Sequence, residues 1–151
     1  MSIASKTSET LNDLIKINND RIEGYEKAIK ELDTEDTDLQ SLFREFCSQS
    51  EGLKRELEQN VMELGEETAD GSTASGSIYR AWMDVKAAFS GDTRKAVLQS
   101  CEFGEDAAQK AYRMAEEEPD IAPNTKILIS KQKLDLKSSH DRVKTLRDSM
   151  E

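Results

Sequence analysis

Apolar residues recur at spacings of four and three along most of this chain, and the recurrence breaks at only a few places. From Ser8 to Leu32, the positions Leu11, Ile15, Asn18, Ile22, Tyr25, Ile29 and Leu32 fall on one face of a helix. At 1.5 Å per residue such a helix is a rod of about 37 Å. Thr7 or Ser8 is placed to cap it, with Glu9 in the first turn, where the helix dipole favours an anion. Asp33-Thr34-Glu35-Asp36 interrupts the pattern. A second seam then runs through Leu39, Phe43, Phe46, Ser50, Leu53, Leu57 and Leu64, supported by Leu42 and Val61. The connection is short, so the two helices are expected to form an antiparallel hairpin.

After Gly65 the sequence turns small and polar, with Gly71 and Gly76 among serines and threonines, before Ile78, Trp82, Val85 and Phe89 return at helical spacing. This reads as a crossover over 65–91 holding a short helix near 77–89. Arg80 and Trp82 are assigned to packing the crossover against the long helices, a ligand platform at Trp82 being the alternative. Asp92 is a plausible cap for a third helix whose seam, Val97, Cys101, Gly104, Ala108 and Ala111 or Tyr112, is built of small residues. Pro119 ends it and Pro123 suits the first turn of a fourth, with a seam through Leu128 or Ile129, Leu136, His140, Val143, Leu146 and Met150. The long helices are expected near 8–32, 37–64, 92–117 and 124–149. Aromatic residues are sparse, at 5%, and give a sheet little to pack with, so the fold class is all-α, a four-helix bundle forming a single domain over 1–151.

Charge narrows the choice of partners. The 151 residues carry 21 Lys and Arg against 31 Asp and Glu, a formal charge of −10. That argues against nucleic acid or an anionic membrane as partner, because neutralising phosphates needs a basic face. No apolar run has the length of a membrane span and the first residues lack an apolar signal core, so a cytoplasmic location is expected. Cys47 and Cys101 then read as reduced thiols packed as small apolar groups. The basic residues gather in the fourth helix and the acidic ones at Glu35-Asp36, Glu66-Glu67 and Glu116-Glu117-Glu118. They are expected to pair within the chain, the alternative being a surface for a homo-oligomer or protein partner.

A connection of about 25 residues between the second and third helices exceeds the roughly two to eight of a simple bundle and suits the one long crossover of ferritin-like folds. The residues agree. Leu11-Asn12-Asp13-Leu14-Ile15 with Asp20 and Gly24-Tyr25, then Gly71, Gly76 and Arg80-Ala81-Trp82, then Cys101-Glu102-Phe103-Gly104-Glu105-Asp106, and finally His140-Asp141-Arg142-Val143-Lys144-Thr145-Leu146-Arg147-Asp148 resemble an uncharacterised bacterial family of ferritin-like four-helix bundles of unknown function. The resemblance covers nearly the whole chain, and its most specific parts are the Cys-Glu-x-Gly-Glu and terminal His-Asp-Arg stretches. It implies a fold rather than a reaction, together with the stress-related roles often found on this fold.

A di-iron centre on such a bundle takes a Glu from each of two helices and a Glu-x-x-His pair from each of the other two. The first and third helices offer Glu23, Glu26, Glu102 and Glu105, but the second has no histidine and the fourth has Lys137 where a glutamate would precede His140. One histidine in the whole chain excludes the full ligand set. Lys54 and Lys137 are expected near the ligand positions, where an ammonium could take the place of a cation. Helix register places Tyr25, Glu26, Ser50, Cys101, Glu105 and His140 at one level of the bundle. Such a polar layer is either a hydrogen-bond network of the protein alone or a site for one Fe or Zn on Glu26, Glu105 and His140. No nucleophile–base arrangement and no phosphate loop is present. Three roles follow: a non-enzymatic bundle that binds a partner, a metal-dependent oxidase or storage protein, and a structural helical adaptor.

Overall fold

The computed structural model describes residues 2–68 and 93–150. Among these there are four α-helices, α1 (Ile3–Glu31), α2 (Thr37–Glu63), α3 (Thr93–Glu117) and α4 (Pro123–Asp148), and no strand. The expected crossover helix, Arg80, Trp82 and the Asp92 cap fall in 69–92, outside the described residues.

The helix ends follow local chemistry. The first helix begins earlier than its apolar seam, because the Ser2 Oγ accepts the Ser5 N–H at 3.1 Å and caps it. Thr7 and Ser8 are therefore not caps, and Glu9 lies beyond the first turn; Thr7 instead accepts the Ala122 N–H across the bundle at 3.2 Å. The second helix stops at Gly65, whose φ of 76° suits a residue without a Cβ. There the Gly65 N–H donates to Met62 O at 2.9 Å and the Glu66 N–H to Val61 O at 3.2 Å, the paired bonds of a Schellman ending. Pro123 occupies the first turn of α4, where a missing N–H costs nothing.

The helices pack as two hairpins, α1 with α2 and α3 with α4, laid side by side so that α1 meets α3 and α2 meets α4. Side chains fix the directions. Arg94, near the start of α3, reaches Asp36 and Asp38 at the start of α2, at 2.9 and 2.7 Å. The chain thus leaves α2 at one end of the bundle and enters α3 at the other, and these two helices run parallel across the bundle from each other. Each helix contributes a stripe to the core.

Those stripes keep a strict four–three rhythm, and it is partly polar. On α4 the buried positions are Thr125, Ile129, Gln132, Leu136, Ser139 and Val143. On α1, Leu14, Asn18, Arg21, Tyr25 and Ala28 are buried, whereas Ile22 and Ile29 are only partly so. The seam therefore passes through Ser139 and not His140, and through Arg21 and not Ile22.

Candidate functional site

The middle of the bundle holds a buried ion pair. Arg21 on α1 has no exposed surface and Glu105 on α3 is 1% exposed. The two meet as a fork, Nε to Oε1 at 2.6 Å and Nη2 to Oε2 at 3.2 Å. The remaining guanidinium nitrogen donates to Ser50 Oγ at 2.7 Å and to Phe46 O at 3.2 Å on α2. The cation also lies 5.1 Å from the centre of the Tyr25 ring and 5.3 Å from that of Phe46. Burial works against the Arg21 charge, yet Glu105 more than compensates and holds its pKa above the ordinary arginine value. Burial, then the Glu105 carboxylate, push the Tyr25 hydroxyl and the Cys101 thiol well up, so neither ionises near neutrality.

One turn along, a second polar layer touches all four helices. Asn18 on α1 donates to the Tyr112 hydroxyl on α3 at 2.9 Å, that hydroxyl donates to Gln132 Oε1 on α4 at 2.8 Å, and Gln132 Nε2 donates to Leu53 O on α2 at 3.1 Å. Farther on, Thr125 on α4 donates to Asn60 on α2 at 2.9 Å. Buried polar groups joined in this way pin the axial register of helices that apolar seams alone would let slide.

The residues singled out by sequence are distributed between places. Tyr25, Ser50, Cys101 and Glu105 are buried together around Arg21. Glu26, one residue past the seam and so about 100° around the helix, is exposed. His140 is likewise one residue past Ser139 and points toward the outer edge of the α3–α4 seam. The trio Glu26, Glu105 and His140 is therefore not brought together. Nor does a lysine supply the internal cation: Lys54, partly buried, sits 3.8 Å from Glu51, and Lys137, at the surface, sits 2.8 Å from Asp141. Sequence reasoning missed Arg21, although its spacing of three from Asn18 and four to Tyr25 was available. Cys47 is half-buried and its thiol pKa is pushed up to about 11, by burial and then by Glu26.

His140 belongs to a different cluster. Its Nε2 faces Asp106 Oδ1 at 2.5 Å and its Nδ1 faces Asp141 Oδ1 at 3.1 Å. Glu102, one turn before Asp106 on α3, completes a trio whose donor atoms all lie within 4.8 Å of one another. Glu102 Oε2 is in turn held by Arg147 Nη1 at 3.0 Å. Burial would lower the His140 pKa, but the bonds to Asp141 and Asp106 outweigh it and keep it above the ordinary histidine value.

Two hairpins with parallel second and third helices, a continuous core and polar rungs across it define a ferritin-like four-helix bundle. The same fold is found in a mutant of Dps1 from Mycobacterium smegmatis, with a TM-score of 0.82 over 96% of this chain and 97% of that one at 16% identity, which speaks to the fold alone. The chain belongs to the family described as Domain of unknown function (DUF2383), whose model matches residues 6–118, from α1 through α3. No curated protein matches the sequence.

The di-iron centre that a ferritin-like fold brings to mind does not fit these residues. Among the described residues the buried carboxylates are Asp20 and Glu105, Glu105 is forked to Arg21, and the chain's one histidine lies outside the core. About six ligands would be needed, two of them imidazoles.

Proposed function

We propose that the protein is a non-enzymatic ferritin-like bundle that acts by binding through its surface, in a stress-related role, and does not oxidise or store iron in its core. The Arg21–Glu105 fork carries this reading. A buried guanidinium already neutralises the carboxylate that a core metal would use, and a second positive charge beside it would be repelled. The outside of the bundle is where contact chemistry remains: Ile127 and Leu134, two turns apart on α4, are 71% and 68% exposed.

Anaerobic loading with Fe(II), followed by oxygen, tests the proposal. We expect no peroxo- or oxo-bridged absorption band. Two irons per chain with such a band would overturn the reading.

A further inference from the structure

The stretches Cys101 to Asp106 on α3 and His140 to Arg147 on α4 meet in space, and the core uses only part of them. Glu105 turns inward to Arg21, while Glu102 and Asp106, a turn apart on the next face of α3, turn toward His140. We propose that Glu102, Asp106 and His140 form a mononuclear site for a borderline divalent transition ion of the Zn(II) type, with Asp141 and Arg147 as its outer supports.

Four observations carry this assignment. The trio offers one imidazole and two carboxylates with donor atoms within 4.8 Å of one another, so modest side-chain rotations reach the roughly 2.0–2.2 Å bonds of such an ion. The imidazole disfavours Mg(II) and Ca(II), which take oxygen donors, and suits Zn(II) and its neighbours. Behind the ring, Asp141 Oδ1 lies 3.1 Å from Nδ1, the carboxylate–histidine arrangement in which Nδ1 donates to the carboxylate and Nε2, on the side of Asp106, is the ligand atom. Finally, Arg147 Nη1 lies 3.0 Å from Glu102 Oε2, an ion pair that holds this carboxylate beside His140 and Asp106.

The ion's two positive charges meet the carboxylates of Asp106 and Glu102; Glu102 also lies 3.0 Å from Arg147, whose charge, unlike that of Arg21, is screened by solvent at a side chain 26% exposed, and Asp141 has Lys137 at 2.8 Å. Three protein ligands leave at least one position for water or a further donor, so the site is open and exchangeable rather than a closed structural one. Asp106 is exposed and His140 half-buried, which gives the ion a path from solvent.

The test uses the full chain, stripped of metal and kept reduced, titrated with Zn(II) alone by calorimetry and with Co(II) by visible absorption. We expect one ion per chain and a Co(II) band of low coordination number. His140→Gln should remove binding, Asp106→Asn should weaken it at least about tenfold, and Asp141→Asn, which touches no ion, should weaken it about 10–100-fold. Glu26→Gln, on the exposed side of α1, should change nothing. Asp106 is at the surface, so its variant reads binding even if His140→Gln destabilises the bundle. Absence of stoichiometric Zn(II) binding, or binding that Asp106→Asn and His140→Gln leave intact, would overturn the assignment. The outcome is separate from that of iron loading, because one surface ion per chain gives no oxo-bridged band.

Discussion

Two glycines, one inside α2 and one just past its end, show how the effect of a single added carbon changes sign with backbone geometry. Gly52 lies inside the helix, and a Cβ there would meet nothing within 4 Å. Gly52→Ala is therefore expected to stabilise the protein by about 0.5–1 kcal/mol, through helix propensity and a less flexible unfolded chain. Gly65 also has open space around it, but its φ is 76°. Gly65→Ala should cost about 1–2 kcal/mol, because an L side chain is strained in that conformation. Urea unfolding of both variants checks the pair, and equal shifts would contradict it. At this scale the sequence was only partly readable. Tyr25, Ser50, Cys101 and Glu105 could be placed at one level by register, but Arg21 was passed over because a charged residue in an apolar seam reads as a gap. Its partner 84 residues away is what makes burial tolerable. His140 was misplaced by one position, since its own four-residue spacing to Leu136 fits a seam as well as the spacing of three from Leu136 to Ser139 does.

Between elements, the strongest expectation concerns the fork that joins α1 to α3. Removing one partner leaves an uncompensated buried charge, so Glu105→Ala should cost about 3–5 kcal/mol. Replacing both, Arg21→Met with Glu105→Leu, should recover most of that loss, since apolar side chains of similar volume do not need the desolvation of two ions to be offset. Equilibrium unfolding of the two single variants and the double gives the coupling; purely additive losses would show that the fork is not acting as a unit. At the end of the bundle the pairing is weaker and titrates. The hydrogen bond from Arg94 lowers the Asp38 pKa to about 2, although the Asp38 side chain is 63% exposed. A depressed carboxylate pKa stabilises the fold above the unfolded value of about 3.9 and loses that contribution as pH falls through the folded one. With so much solvent around it the gain is under about 1 kcal/mol. Arg94→Ala should thus be slightly less stable than the parent at pH 6 and equal to it near pH 2. A difference that persists at pH 2 would assign the effect to packing of the arginine stem.

For the whole molecule, the topology could be read from punctuation: two short breaks and one long polar segment are enough to set hairpin, crossover, hairpin. What periodicity could not reveal is how many rungs of the core are polar, because Asn18, Tyr112 and Gln132 gain their meaning only when four helices bring them into line. Charge raises a question at the same scale. Several basic residues of α4 are answered within the chain, among them Lys133 by Glu116 at 2.8 Å, Lys131 by Glu56 at 3.8 Å and Arg147 by Glu102 at 3.0 Å. These pairs are short-ranged, whereas the net charge of −10 acts across the whole bundle. Raising ionic strength from 0.01 to 0.15 M shortens the screening length from about 30 Å to about 8 Å, which removes most repulsion between distant carboxylates and little of the attraction between groups already in contact. Exposed pairs contribute about 0–1 kcal/mol each at best. Repulsion should dominate, so the thermal midpoint is expected to rise over that range of sodium chloride at pH 7. A midpoint that falls instead would mean that the α4 pairs, and not the excess of acid, govern the electrostatics of the fold.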